Sequence, residues 1–221
     1  MTQRELIHGM VGLLSAGIDT VTTTTSIVLN ILAIYPDVQE KVFSEIKSVL
    51  GCCTTTIPTY DQIKNLDFLT RVIKETLRLF PPGSLVGRKN LQEFKIGDYT
   101  IPADCTLAVF IHSIHRNPQH WPNPDSFDPD RFLPSVRRNP NAYLPFSSGP
   151  RNCLGHKYAM LQMKITLSSL LKKYRVLPGD HCKSIEDIRC QLGFTLKLLP
   201  GNDIRLELRD LSQSSKDLIF I

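Results

Sequence analysis

Apolar residues recur at helical spacing through the first 80 positions of the chain. Residues 1–34 are predicted to form one long helix, which Tyr35-Pro36-Asp37 ends before a second helix begins. A third helix is predicted over residues 59–80, because its apolar side chains fall on one face and Pro81-Pro82-Gly83 follows. The pattern therefore predicts three consecutive helices.

Short alternating segments replace the helical pattern in the middle of the chain. Residues 94–96 and 99–101 flank Gly97-Asp98 as the strands of a small hairpin would, and residues 106–111 alternate like a further strand. Residues 117–150 hold more than half of the prolines. Two interpretations of this segment stay open, an ordered functional meander and an unfolded linker.

Helical spacing returns after Cys153 and gives way to strands near the C-terminus. The helical positions are Leu154, Tyr158, Leu161 and Ile165. Residues 192–209 are predicted to form a C-terminal hairpin, because apolar residues alternate on both sides of Pro200-Gly201-Asn202. The predicted fold class is mainly α with small β hairpins, that is, α+β.

Length and composition fit a soluble globular protein of one large or two small domains. With 42% hydrophobic and 21% charged residues, collagen-like, coiled-coil and largely disordered chains are excluded. The net charge of +5 is too diffuse to indicate nucleic-acid binding. Six cysteines, of which Cys52 and Cys53 are adjacent, are too few for a disulfide-stapled secreted module and indicate a reducing compartment.

The N-terminal sequence lacks the basic-then-apolar order of a signal peptide. The most apolar stretch, residues 11–35, contains Asp19 and several threonines. A buried helix is therefore predicted there in preference to a membrane span, and no membrane anchor is expected within this sequence.

A cysteine stands ahead of the C-terminal helical pattern, within the sequence FSSGPRNCLG of residues 146–155. A helix N-terminus stabilises a thiolate, and Arg151 adds a cation two residues before Cys153. Such a thiolate suits a soft metal, and the alternative is a buried, inert cysteine. Zinc is disfavoured because no paired C-x-x-C is present. The histidines that zinc would need are His112, His115 and His156.

This decapeptide resembles the haem-binding loop of the cytochrome P-450 superfamily, the haem-thiolate monooxygenases. The resemblance implies that Cys153 is the metal ligand, the axial thiolate of haem b (iron protoporphyrin IX). It also implies that Phe146 packs against the ligand loop and that Arg151 pairs with a haem propionate. Gly149 and Gly155 would let the backbone lie close to the porphyrin.

Two further segments resemble motifs of the same superfamily. Glu75-Thr76-Leu77-Arg78 lies on the third predicted helix, and FDPDRF over residues 127–132 looks like the superfamily's meander motif. The resemblance implies a buried network of Glu75, Arg78 and Arg131 whose role is structural. The alternative for an isolated Glu-x-x-Arg is a solvated ion pair.

The first predicted helix carries Ala16-Gly17-Ile18-Asp19-Thr20, which resembles the superfamily's oxygen-binding groove. A threonine hydroxyl that bonds back to the carbonyl four residues earlier loosens a helix locally. By the resemblance, Thr20 is the catalytic proton-relay hydroxyl and Asp19 is the acid that recharges it. The alternative is ordinary packing of a hydroxyl-bearing helix.

Several residues near these motifs are candidates for the haem and substrate sites. Arg88 is a candidate partner of a haem propionate, with an exposed arginine as the alternative. The candidates for the substrate pocket, for which core packing is the alternative, are Ala16, Leu85, Val86 and Phe194. The cysteine loop looks most like that of the microsomal family-four clan, many of whose members carry a haem-esterifying Glu where this chain has Ala16. Ala16 cannot form an ester.

The resemblance runs from Arg4 to about Asp210, from the superfamily's long I helix to its C-terminal hairpin. Residues 1–221 are therefore interpreted as a partial haem domain, the C-terminal half of a cytochrome P-450 fold. The helices that would complete the haem pocket lie outside this sequence. We expect the isolated chain to hold haem poorly.

The activity implied by the resemblance is insertion of one oxygen atom from O2 into a lipophilic substrate, a fatty acid or related lipid. NADPH would supply electrons through a partner cytochrome P-450 reductase. The enzyme would lie on the cytosolic face of the endoplasmic reticulum membrane, held by an N-terminal anchor that is missing here. Two alternatives stay open, a truncated and catalytically silent product, and a haem-thiolate enzyme that rearranges peroxides without O2 or reductase.

A set of basic residues is a candidate docking face for an acidic reductase, with a solvated charged surface as the alternative. The set is Arg137, Arg138, Lys157, Lys164, Lys172 and Lys173.

Overall fold

The computed structural model describes residues 1–51, 57–193, 195–209 and 218–220. The helices in these ranges are α1 (Gln3–Ile34), α2 (Pro36–Leu50), α3 (Tyr60–Lys64), α4 (Asp67–Leu79), α5 (Ile111–Ile114) and α6 (His156–Lys173). The strands are β1 (Leu85–Lys89), β2 (Phe94–Ile96), β3 (Tyr99–Ile101), β4 (Thr106–Phe110), β5 (Tyr174–Pro178), β6 (Cys190–Leu192), β7 (Leu196–Leu198), β8 (Ile204–Leu208) and β9 (Leu218–Phe220). Long helices and small antiparallel sheets confirm the predicted α+β class.

Helix α1 divides into an exposed half and a buried half. Residues 1–18 are exposed, whereas the buried residues begin at Val21 and continue to Ala33. The buried half packs against α4, α6 and β5 and lies at the centre of the core. By length and composition alone α1 also passes as a membrane-crossing helix, although 56% of its most apolar window is buried inside the fold. The predicted burial of residues 11–35 therefore holds only for the C-terminal half of the helix.

The third predicted helix is two helices, which corrects the prediction of one helix over residues 59–80. Helix α3 ends at Lys64, and Asn65 closes it by donating its backbone N–H to the Asp61 and Gln62 carbonyls. Helix α4 begins afresh at Asp67, and the carboxylate of Glu45 accepts hydrogen bonds from the N–H groups of Phe68 and Leu69 at 2.6 and 2.9 Å. Glu45 of α2 therefore caps the free N–H groups at the start of α4. The spacing of apolar residues over 59–80 does not reveal this cap.

The predicted C-terminal hairpin is also wrong in its pairing. Strand β7 pairs with β6, and β8 pairs with β5 and β9, so the strands on either side of residues 200–202 are not partners. The Asn202 side chain holds the turn between β7 and β8 in place, because it donates to the carbonyls of Arg189 and Leu199 and accepts from the Arg189 N–H. The two strands then bury their apolar residues in different clusters, Leu196 against α1 and Leu206 beside β5.

Helix α6 buries two lysines of the proposed basic face. Lys164 Nζ donates to the carbonyls of Ile63 and Lys64 at 3.0 and 3.2 Å, and Lys172 Nζ donates to the Leu50 carbonyl at 3.2 Å. These carbonyls end α3 and α2, where a cation is favourable. Lys164 and Lys172 therefore belong to the core and are not docking residues.

The proline-rich segment over residues 117–150 is ordered and has a small core of its own. Trp121, Phe132 and Ala142 are buried together with Tyr143 beside them, and Trp121 Nε1 donates to the Ala142 carbonyl at 3.2 Å. The 3₁₀ turn at Pro129–Phe132 packs against α4. The meander interpretation therefore describes this segment, and the linker interpretation does not.

Candidate functional site

A cavity of about 300 Å³ lies where α1, the segment after α4, β1 and the loop before α6 meet. Most of its lining is apolar, and its polar members come from three separate stretches of the chain. The lining residues are Thr20, Val21, Thr24, Leu77, Pro82, Gly83, Val86, Arg88, Pro145, Phe146, Ser147, Arg151, Cys153, Ala159 and Met163. The fold thus brings six of the predicted site residues to one cavity.

The loop before α6 presents the Cys153 side chain to this cavity. The Cys153 N–H donates to the Phe146 carbonyl at 2.8 Å, and the Asn152 N–H donates to the Gly149 carbonyl at 3.1 Å. Gly149 has φ +80°, a left-handed conformation that glycine adopts without strain. The turn folds the loop back on itself and leaves Cys153 exposed, three residues before α6 begins.

Two arginines add positive charge to the same cavity. Arg88 Nη2 donates to Ser147 Oγ at 3.1 Å and reaches the Arg151 carbonyl at 3.5 Å. Arg88 is half-buried and Arg151 is exposed. The lining holds no carboxylate among the residues given above, so the pair is available to an anionic group.

Helix α1 contributes Thr20 to the cavity lining, whereas the adjacent Asp19 lies outside it. Thr20 Oγ1 donates to the Ala16 carbonyl at 2.8 Å, the back-bond that the sequence predicted. Asp19 is not in the lining, and its carboxylate accepts a hydrogen bond from Thr195 Oγ1. Ala16 is exposed and lies outside the lining. Thr20 and Asp19 are therefore close in sequence but face different surroundings.

The remaining predicted pocket and loop residues separate into those inside and those outside the cavity. Val86 lines it, whereas Leu85 is 45% exposed and lies on the opposite face of β1, because successive strand residues point to opposite sides. Phe194 lies outside the described residues. Gly155 caps α6 and Gly149 lies in the loop, and a Cβ added at either would meet no atom within 4 Å. Open space therefore adjoins both glycines.

Glu75, Arg78 and Arg131 come together behind the cavity, between α4 and the proline-rich segment. Glu75 and Arg78 have fully buried side chains and form two 2.8 Å hydrogen bonds. Arg131 Nε lies 3.4 Å from Glu75 Oε1, as an ion pair without an aligned hydrogen bond. Burial raises the pKa of the Glu75 carboxyl, and the two arginines oppose that rise. The arrangement is a desolvated charge cluster and not a solvated pair.

Arg78 uses all five of its N–H donors. Besides Glu75, the guanidinium donates to three backbone carbonyls that reach α4 from the segment after α5, those of His115, Pro124 and Ser126. The guanidinium also stacks over the Trp121 ring. The residue therefore ties the proline-rich segment to α4.

His115 is a structural residue whose importance the sequence reasoning missed. Its Nε2 accepts the Leu144 N–H at 2.8 Å and its Nδ1 donates to the Arg78 carbonyl at 3.2 Å. Burial lowers the pKa of His115 to about 4. With both nitrogens engaged the ring has no position for zinc, and no group of three potential metal ligands occurs among the described His, Cys, Asp and Glu residues.

The cavity residues fit the haem that the resemblance implies. Cys153 offers a thiol for the iron, Val86, Phe146 and Met163 offer an apolar surface for the porphyrin, and two guanidinium groups suit the propionates. The sequence predicts Cys153, Phe146, Arg88 and Arg151 as haem residues and Val86 as a substrate-pocket residue. It does not predict Met163 and Ser147 of the lining, or Thr195, the partner of Asp19. Met163 and Thr195 lie outside the motifs, and Ser147 lies within FSSGPRNCLG at a position to which the resemblance assigns no role.

Comparison with known proteins gives the family. The model of the cytochrome P450 family matches residues 1–201. The chain belongs to the cytochrome P450 family, in which haem is bound through a cysteine thiolate.

The relatives carry cytochrome P450 names of family four. Cytochrome P450 4c21 of Blattella germanica is 40% identical over 177 residues, 79% of this chain and 35% of the relative. In Drosophila melanogaster, cytochrome P450 4d8 is 39% identical over 81% of this chain and 41% of its own length. Cytochrome P450 4g1 is 37% identical over 94% and 37% respectively. The chain therefore spans little more than a third of the relatives it matches.

Proposed function

We propose that the protein forms the thiolate-bearing part of a haem-thiolate monooxygenase, in which Cys153 ligates the haem iron. The observation that carries the proposal is the meeting of Cys153, Thr20 and two arginines at one largely apolar cavity. Haem, when bound, supplies the redox chemistry that activates O2 and transfers one oxygen atom to a C–H bond. The chain's own residues bind it, orient it and deliver protons.

The polar cavity residues of β1 and the cysteine loop each have a physical task in this proposal. The hydrogen bond from the Cys153 N–H to Phe146 fixes the loop, so the sulfur is held where it lines the cavity. Arg88 and Arg151 would hold the carboxylates of the prosthetic group by charge-assisted hydrogen bonds. Ser147 orients Arg88, since its Oγ accepts one of the guanidinium N–H groups.

Thr20 and Asp19 form the proposed proton path on α1. The Thr20 proton is held by the Ala16 carbonyl, so its lone pairs are free to accept a hydrogen bond from the cavity. The Asp19 carboxylate, one residue earlier and half-buried, can exchange protons with solvent and recharge the path. A peroxide-rearranging enzyme would give neither residue a task, so the monooxygenase is the better supported of the two activities.

The finer proposals concern the substrate, the electron source and the location. An apolar lining favours a lipophilic substrate, a fatty acid or related lipid. Electrons would come from NADPH through a cytochrome P450 reductase, and the location would be the cytosolic face of the endoplasmic reticulum membrane. The cysteines in the described part of the chain are free thiols at positions 105, 153, 182 and 190, which suits a reducing compartment.

The test compares two cysteine variants in the holoenzyme that contains this chain. We expect Cys153→Ala to abolish both the thiolate-type absorption of the reduced carbon monoxide complex and NADPH-dependent product. The matched control is Cys105→Ala, which removes a half-buried thiol outside the cavity and is expected to keep both signals. A thiolate-type spectrum retained by Cys153→Ala, with circular dichroism unchanged, would refute the proposal.

A further inference from the structure

The acid of the proposed proton path is bonded to the C-terminal strands. Thr195 Oγ1 donates to Asp19 Oδ2 across 176 positions of sequence. Adjacent residues on an α-helix are separated by about 100° around its axis, so Asp19 and Thr20 do not face each other. Asp19 therefore depends on a group outside α1 to fix the orientation of its carboxylate.

Backbone hydrogen bonds fix the segment around Thr195, and one of them reaches a residue of the cavity lining. The Thr195 carbonyl accepts the Gly193 N–H at 3.1 Å, and the next N–H, of Leu196, donates to the Pro82 carbonyl at 2.9 Å. Pro82 lines the cavity, and Leu196 is buried against Ile27 of α1. The Thr195 hydroxyl is thus presented to Asp19 from a local turn whose next residue, Leu196, is bonded to Pro82.

We propose that Thr195 is a positioning residue for the Asp19 carboxylate. Its hydroxyl donates one hydrogen bond to Asp19 and keeps its own lone pairs free to accept another. The bond ties the carboxylate on α1 to the residue that precedes β7 and restricts its rotation. The inference deepens the proposed function and rests on it, since the acid has a proton to deliver only in a monooxygenase.

The first test measures the bond itself and needs no haem. Urea unfolding of the 221-residue chain is compared for Asp19→Ala, Thr195→Val and the double variant. We expect a coupling of about tenfold in the unfolding equilibrium constant, the size expected for a half-buried hydrogen bond to a charged group. Thr22→Val, the same substitution at an exposed position of α1, is expected to show no coupling with Asp19→Ala. Coupling below twofold would overturn the inference.

The second test measures positioning in the holoenzyme, as product formed per NADPH consumed. We expect Thr195→Val to lower this ratio several-fold, as Asp19→Ala does, and Thr195→Ser to restore it because the hydroxyl is retained. A purely structural role would not follow the hydroxyl in this way. If Asp19→Ala lowers the ratio and Thr195→Val does not, the inference is wrong and the proposed function stands. If neither variant changes the ratio, the proton path of the proposed function fails and the inference fails with it.

Discussion

Replacing His115 by Gln isolates the contribution of one buried neutral imidazole to stability. His115 has no exposed surface, and its two ring nitrogens bond to Leu144 and to the Arg78 carbonyl. Burial lowers the pKa of His115 from 6.5 to about 4 in the folded chain. Between those values the unfolded chain holds a proton on this side chain that the folded chain does not, so stability falls as the pH falls.

The size of the effect follows from that difference in pKa. The contribution of His115 is fully present above pH 6.5 and is lost progressively as the pH falls toward 4. The loss amounts to roughly 3 kcal/mol, with a limiting slope of about 1.4 kcal/mol per pH unit. The Gln variant does not titrate, so its unfolding free energy lacks this slope. It is also expected to be about 1–3 kcal/mol less stable at pH 7, because at least one buried hydrogen bond is lost.

Urea unfolding of both chains at several pH values between 7 and 4.5 makes the measurement. The unfolding free energy of the wild type minus that of His115→Gln is expected to decrease steadily as the pH falls, toward zero or below it. His120→Gln, at an exposed position, is the control and is expected to follow the wild type throughout. A wild-type minus His115→Gln difference that does not change with pH would refute the assignment of a buried neutral imidazole.

Two further predictions concern the charge cluster and the haem. Glu75→Gln leaves the buried Arg78 guanidinium without its counter-charge and is expected to cost about 3–5 kcal/mol of unfolding free energy in urea melts. The exposed control Glu93→Gln is expected to cost under about 0.5 kcal/mol, and an equal cost for the two would contradict the buried cluster. Because Ala16 offers no carboxylate for an ester, haem bound by the holoenzyme is expected to extract into acidified organic solvent. Haem that stays on the denatured protein would contradict this.

The parts of the site that could be predicted from sequence are those encoded by short spacing. Glu75 and Arg78 are three residues apart, and that spacing places them on one face of any helix. The Thr20 hydroxyl likewise needs only the carbonyl four residues earlier. The position of Cys153 before a helix follows from the loop sequence and the apolar period after it. In each case one helix or one loop contains both interacting groups.

The parts that could not be predicted depend on partners far along the chain. Glu45 caps the start of α4 from a distance of 23 positions, so the apolar period over residues 59–80 conceals the break between α3 and α4. The Asn202 side chain ties the turn between β7 and β8 to the backbone of Arg189, and these two strands pair with other strands instead of with each other. Lys164 and Lys172 are charged residues with buried amino groups, because carbonyls at two helix ends accept their hydrogen bonds. Composition alone assigns such residues to the surface.

The structural network and the cysteine loop are connected through His115. The Arg78 carbonyl accepts a hydrogen bond from one side of the imidazole, and the Leu144 N–H bonds to the other. Two residues after Leu144, the Phe146 carbonyl accepts the Cys153 N–H. The residue that carries the buried ion pair on α4 is therefore connected to the segment that leads into the cysteine loop, by hydrogen bonds through His115 and by the backbone from Leu144 to Phe146. This explains physically why a chain that places a thiol at a cavity also keeps a costly buried charge cluster: the cluster has no contact with the cavity, yet it holds the backbone on which Cys153 depends.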